Sequence, residues 1–296
     1  MTRVLVVEGN TPELVEAAVA VRCRPAAEHY AEVLSTLAAA RGVALETTIL
    51  RPYFPEGDIE ALDLNGFDGV AFTGSGVDWS ADDARAAPFL RLLERIFTAG
   101  LPVIGSCWGL QVGAVVLGGC VGQGARGLEL GVARHVRLTP AGSAHPFHAG
   151  RAPAFDVPCI HRDEVTLVPA GAVVTAENDH SAVQAMVFET GGVRFWGMQY
   201  HPELGPEDTL GYMLCRDDAG IAKLGLFRDR ADLVAMIDDM RRIMADPDRE
   251  AGLAWRYGLR GDVLDGSQRR AELDNWLGAI GLPARMSEPA GAALLR

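Results

Sequence analysis

The segment that most restricts the fold is Val103-Ile104-Gly105-Ser106-Cys107-Trp108-Gly109-Leu110-Gln111. A short β-type run ends at Gly105 and an apolar, helix-like pattern starts after Cys107. A chain can turn from strand to helix this abruptly only where the two elements pass closely, and flanking glycines permit that approach. The pattern is G-x-C-x-G, the cysteine counterpart of the serine nucleophile elbow. A helix N-terminus at such a turn offers free N–H groups and the positive end of its dipole, a setting suited to a nucleophilic sulfur and to an oxyanion. Taken alone, the pentapeptide also fits a buried cysteine in a tight βα turn.

The surrounding sequence repeats the strand–helix alternation. Val4–Val7 is a continuous apolar run rich in β-branched valine, as expected of a strand buried on both faces. Ala26–Ala40 carries its apolar residues at helical spacing and is stopped by Gly42. Strands follow at 45–50, 67–73 and 101–105, helices at 83–98 and 108–117. This predicts an α/β fold, three layers about a mostly parallel sheet. From about residue 130 the texture changes to closely spaced strands at 132–138, 154–161, 164–168, 172–176, 184–188 and 193–199. Gly, Pro and Asn/Asp separate them, which predicts antiparallel strands added to the sheet. After residue 205 the pattern is helical again: Asp229–Ala245 is an amphipathic helix ended by Pro247, Arg269–Ile280 a weaker one, and the last residues an Ala/Gly/Pro-rich tail expected to fray.

A cysteine nucleophile needs a base, and the base an orienter. Trp196-Gly197-Met198-Gln199-Tyr200-His201-Pro202-Glu203 supplies both. A strand runs into His201, a carboxylate stands two residues on, and Pro202 stiffens the turn between them. His-Pro-Glu alone would be weak evidence. Its occurrence after the cysteine turn, in the same α/β context, selects Cys107, His201 and Glu203 as a nucleophile–base–orienter set.

These two segments together resemble the class I, triad-type glutamine amidotransferases, in their GMP-synthase-like branch. The resemblance covers roughly residues 1–205. It implies a flavodoxin-like fold of that family, with Cys107 as nucleophile, His201 as general base and acid, and Glu203 as orienter. It implies a γ-glutamyl thioester that water hydrolyses, releasing glutamate and ammonia without a cofactor or metal. By motif, Gly74 in Thr73-Gly74-Ser75-Gly76 and Trp108 are the expected oxyanion donors. Gln111 matches the family glutamine that holds substrate. His161, in His161-Arg162-Asp163-Glu164-Val165, and Asp179, His180 and Ser181 fall in stretches that line the substrate. Two positions depart from the family pattern: Val77 stands where proline is usual, and Ser106 replaces an apolar residue before the nucleophile. Both touch specificity more than chemistry.

Composition removes several alternatives. Net charge is −12 from 39 acidic and 27 basic residues, so a polyanion-binding surface and a nucleic-acid partner are not expected. Lys223 is the only lysine, and no Gly-Lys-Ser/Thr occurs, which excludes P-loop chemistry. Five cysteines without C-x-x-C suggest neither a disulfide framework nor a zinc ribbon. Cys120, Cys159 and Cys215 read as small packing residues. His135, His145, His148, His161 and His180 match no metal-binding spacing. Neither a signal segment nor a membrane span is expected, and a reducing cytoplasm is the expected location.

The expected organisation is therefore a catalytic domain at 1–205 and a helical extension, 206–296, packed on it. That extension is short for an ammonia-using synthetase domain, which needs about 100 residues or more. The expected function is a glutaminase subunit serving a separate synthetase; the alternatives are a free-standing γ-glutamyl amide or peptide hydrolase and a non-catalytic regulatory relative. A homodimer is compatible with each. The leaving-group side of the pocket is expected in the 77–84 and 145–153 loops, with Trp79, Phe147 and Phe155 as apolar lining.

Overall fold

The computed structural model describes residues 1–284. The expected tail lies almost wholly at 285–296, outside the described residues. In chain order the elements begin β1 (Thr2–Val7), α1 (Pro12–Ala20), α2 (Ala26–Ala40), β2 (Leu45–Leu50), β3 (Gly69–Phe72), α3 (Ala87–Thr98), β4 (Val103–Ser106), α4 (Trp108–Val116), β5 (Cys120–Gln123), β6 (Glu129–Leu138) and α5 (Pro140–Ala144). They continue with β7 (Ala154–His161), β8 (Asp163–Leu167), β9 (Val173–Glu177), β10 (Ala185–Phe188), β11 (Phe195–Met198), α6 (Pro206–Gly211), α7 (Asp218–Lys223), α8 (Arg230–Ala245), α9 (Ala251–Arg256), α10 (Gly261–Leu264), α11 (Gly266–Arg269) and α12 (Ala271–Ala279).

Nine strands form the main sheet, in the order β2-β1-β3-β4-β11-β10-β9-β6-β7, and β5 and β8 pair separately. The contacts from β2 through to β11 are parallel; those from β11 onward are antiparallel. Strand periodicity explains the layers. Val4 and Val6 of β1 face the core under α2, whereas Leu5 and Val7 face the core under α3 and α4. Both faces are covered, as a parallel sheet requires.

The helices after residue 205 pack in two places. Residues of α6, α8 and α9 make a third apolar cluster against Leu130, Val132 and Ile160 of β6 and β7. By contrast, Leu273, Trp276 and Leu277 of α12 join the core under α2. The last helix thus returns to the main sheet rather than belonging to a detached unit. Among the described residues, no helix is long and apolar enough to cross a membrane.

The expected helix at 83–98 is a 3-10 turn (Ala84–Ala86) followed by α3. Pro88 lacks an N–H and fits only the first helical turn, so the α-helix proper starts beside it.

Candidate active site

The parallel strands deliver their C-terminal ends to one edge of the sheet, where open α/β sheets bind ligands. Glu8 follows β1, Thr73 and Gly74 follow β3, Cys107 follows β4, and His201 follows β11 by three residues. Cys107 caps α4 with φ 49° and ψ −100°, a conformation that costs a non-glycine residue about 1–3 kcal/mol. Surrounding structure enforces it. The Cys107 N–H donates to Met198 O at 2.7 Å, tying the turn to β11. A Cβ on Gly105 would lie 2.6 Å from the Gly109 carbonyl carbon, and one on Gly109 would lie 2.7 Å from Phe72 Cβ. The flanking glycines are therefore required by the crossing of strand and helix.

Cys107 and His201 face each other across Gly74. A Cβ placed on Gly74 would lie 2.4 Å from His201 Cε1 and 3.5 Å from Cys107 Cβ. The thiol donates to Ile160 O at 3.6 Å. His201 is buried, and its Nδ1 donates to Glu203 Oε1 at 2.7 Å. Nε2, the other ring nitrogen, has no nitrogen or oxygen partner and is left to the Cys107 sulfur. Burial works against a charged imidazole, but the Glu203 carboxylate and the sulfur outweigh it and hold His201 up at about 10. A protonated His201 is both a counter-ion for a thiolate and a proton donor for a leaving amine. Trp108 opens α4, so its N–H belongs to the first turn, which has no intrahelical acceptor.

The loop carrying Gly74 has supports that the sequence reading missed. Gly76 N–H donates to Asn10 Oδ1 at 2.8 Å, and Asn10 Nδ2 donates to Glu8 Oε1 at 2.8 Å. The second Glu8 oxygen accepts from the Ala27 N–H at 2.8 Å. Burial pushes the Glu8 carboxyl above its usual range, against the bonds from Ala27 and Asn10. The only sequence signal was position: an acid directly after the first buried strand.

Comparison with known proteins settles the family. Residues 29–216 match the family model for glutamine amidotransferase class-I. The chain belongs to this family. Its sequence is 38% identical over 172 residues to a γ-glutamyl-L-1-hydroxyisopropylamide hydrolase of a Pseudomonas species, covering 57% of this chain and 58% of that protein. It is 34% identical over 140 residues to the glutamine-hydrolysing GMP synthase of Shewanella baltica, covering 46% of this chain and 25% of that one. The chain thus spans less than two thirds of either relative. In fold it resembles a glutamine amidotransferase crystal structure from Thermotoga maritima, with a TM-score of 0.61 at 18% identity over 95% of this chain and 98% of that one. Family membership makes the chain an amidohydrolase-type enzyme.

Other residues singled out in this family member fall into two groups. Gln111 is buried and donates through Nε2 to Asp163 O at 2.7 Å, and His161 Nδ1 lies 3.1 Å from the same carbonyl. His180, half-buried, sets its ring edge-on to His161 at 5.6 Å and bonds through Nε2 to Gly127 O at 3.2 Å. Asp179 does not join them: its side chain is 77% exposed and paired with Arg137. Ser181 is buried, but its N–H donates to Asn178 Oδ1 and its hydroxyl to Val183 O, so both are spent inside the turn.

Loop 145–153 does not line the pocket as expected. Phe147 and Phe155 are buried in the core under α2 and α12, against Trp196 and Tyr200 respectively. Apolar burial there outweighs exposure on a pocket wall. Trp79 stays in the loop after Gly76, with the Arg85 guanidinium over its ring and Tyr53 edge-on to it. Of the three cysteines expected to pack, Cys159 is buried, Cys215 half-buried and Cys120 exposed.

Behind His161 lies Glu129, absent from the sequence reading. It accepts from His161 Nε2, Asn178 Nδ2 and Gln184 Nε2, each at 2.8 Å. Burial raises its carboxyl, but the bond and charge of His161 win and hold it low. Glu129, His161 and His180 bring one potential metal-ligating atom each to within 4.8 Å of one another. Both Glu129 oxygens are already engaged by protein donors, which favours a hydrogen-bonded network there.

Proposed function

We propose that the chain is a free-standing γ-glutamyl amide hydrolase working through Cys107, His201 and Glu203. The observation that carries the chemistry is the strained Cys107 turn set against a buried, carboxylate-bonded imidazole. In this reading the Cys107 sulfur attacks the γ-carbonyl, forming a C–S bond. Negative charge on the carbonyl oxygen falls to the N–H groups of Gly74 and Trp108. His201 gives its proton to the amine nitrogen as the C–N bond breaks. It then takes a proton from water, whose oxygen displaces the sulfur and frees glutamate. Glu203 keeps the imidazole oriented and stabilises its cation.

Substrate-side roles for Gln111, His161 and His180 rest on motif position, and both ring nitrogens of His161 are engaged, by Asp163 O and by Glu129 Oε2. Asp179 and Ser181 have their polar atoms committed elsewhere. Residues 1–205 form the catalytic unit in this reading, and 206–296 an extension whose described part, 206–284, closes its sheet edge and its α2 face. The likeness to a hydroxyisopropylamide hydrolase supports a substituted amine as leaving group. A second reading, a glutaminase that supplies ammonia to a separate synthetase, is supported by the likeness to GMP synthase.

The deciding experiment compares glutamine with γ-glutamyl alkylamides and hydroxyalkylamides, with no partner protein present. Turnover of the substituted amides well above that of glutamine is the expected result. Glutamine as the better substrate would overturn it in favour of the second reading. The Cys107→Ala variant should lose amide hydrolysis by on the order of 10⁴-fold or more while keeping its fold. Retained activity would sink the mechanism itself.

A further inference from the structure

Ser106 is the residue that departs from the family pattern immediately before the nucleophile, and the fold gives it a specific neighbour. It shares a face of β4 with Ile104, two residues earlier, and that face meets α2. Ser106 and Tyr30 of α2 are each fully buried, and Glu203 nearly so at 3% exposure. Ser106 Oγ lies 3.1 Å from Glu203 Oε2, the oxygen that His201 does not use. Tyr30 Oη lies 3.3 Å from Ser106 Oγ.

The direction of these bonds follows from counting protons. An ionised carboxylate only accepts, so Ser106 must be the donor to Glu203. Its single proton is then spent, and its lone pairs can only accept from Tyr30. Tyr30 can supply that proton throughout the ordinary pH range: burial, and then the Glu203 charge, push its phenol well above the usual value. The result is a chain of donors from Tyr30 to Ser106 to Glu203, which accepts from His201 on its other oxygen.

We infer that Ser106 and Tyr30 are positioning residues for the proposed triad, fixing the rotation of the Glu203 carboxylate so that Oε1 stays aimed at His201 Nδ1. A carboxylate held by one oxygen alone can swing about its terminal bond; a donor on the second oxygen removes that freedom. The aim of Oε1 sets which imidazole nitrogen carries the proton and where Nε2 points. The apolar residue usual at position 106 could not do this. The inference rests on the Cys107–His201–Glu203 reading.

The test measures steady-state kinetics and thermal midpoints for Ser106→Ala, Tyr30→Phe and the double variant, beside Cys107→Ala. Ser106→Ala should lower kcat about tenfold with KM within about twofold, since a bond to a charged group acting in the transition state is lost. Tyr30→Phe should lower kcat about threefold. Because Tyr30 acts only through Ser106, the double variant should be no slower than Ser106→Ala. Its thermal midpoint should nonetheless exceed that of Ser106→Ala, because the alanine alone strands a buried Tyr30 hydroxyl. Stability would then recover while activity does not, a divergence that a packing role would not produce. Multiplying kcat effects, activity that tracks the thermal midpoint, or a loss confined to KM would each overturn the inference. If Cys107→Ala is inactive and Ser106→Ala is unimpaired, only the inference fails. If Cys107→Ala is active, the triad reading fails.

Discussion

Two buried glutamates of this molecule sit in similar company and do different work. Glu203, five residues after β11, binds one histidine through Oε1 at 2.7 Å and one hydroxyl through Oε2 at 3.1 Å. Glu272, on α12, binds His148 Nδ1 at 3.1 Å, Tyr200 Oη at 3.1 Å, and Arg151 through Nε at 2.8 Å and Nη2 at 2.6 Å. The difference is the cation. Arginine does not release its proton, so Arg151 keeps its charge and the Glu272 group is a charged staple between α12 and the segment before β7. Burial would raise Glu272, but the Arg151 charge and the His148 bond hold it down at about 2. Glu203 has a partner whose proton can leave. The same kind of pair is therefore a clamp in one place and, in the proposed mechanism, a proton-handling device in the other. The clamp also touches the site: its Tyr200 immediately precedes His201.

The sharpest way to break this contrast is to neutralise each glutamate in turn. Glu203→Gln should lower kcat on the order of 10³-fold or more, through loss of imidazole orientation and of the charge that supports its cation. Its thermal midpoint should move far less than that of the clamp variant. Glu272→Gln should do the reverse, costing about 3–5 kcal/mol by leaving Arg151 buried without its counter-charge. Per folded molecule, its kcat should stay within about a few-fold of the parent. Chemical denaturation and single-turnover kinetics on both variants would check this; equal effects on stability would erase the distinction.

The smaller test is pH. The folded-state pKa of Glu272 lies below its unfolded value, so its contribution is complete above about pH 4.5. It is lost as pH falls towards about 2, a change of about 3 kcal/mol. The folded-state pKa of His201 lies above its unfolded value, so its contribution is complete below about pH 6.5 and is lost as pH rises towards about 10. Glu272→Gln should therefore flatten the acid limb of the stability profile and leave the alkaline limb in place. An unchanged acid limb in that variant would show that other carboxylates set it.

Much of the framework was legible because it is local. Ala26–Ala40, Leu45–Leu50 and Ala154–His161 have the same bounds in the sequence reading and in the structure, since periodicity alone decides which face is buried. Among the elements that escaped, two are instructive. Helix α1 buries only Ala18, so its periodicity is faint; its signal was the cap at Thr11 with Pro12 behind it. Strand β5 lies in a glycine-rich run, and it is a strand because of its pairing with β8, far along the chain. On the substrate side, motif position and side-chain placement diverge at two residues. Motif position put Asp179 and Ser181 at the pocket, whereas their hydrogen bonds commit them to Arg137 and to the turn.

The sequence by itself determined the alternation of strand and helix, the turn at Cys107 and the pairing of His201 with Glu203, because each depends on residues within a few positions of one another. Only the tertiary structure decided which partners the charged groups received: Ser106 and Tyr30 for Glu203, Arg151 and His148 for Glu272, and His161, Asn178 and Gln184 for Glu129. Those bonds join residues distant in the chain, and a hydrogen bond is made or missed over a few tenths of an ångström. Periodicity fixes the face a side chain takes, but only the packing of one element on another fixes what it meets there.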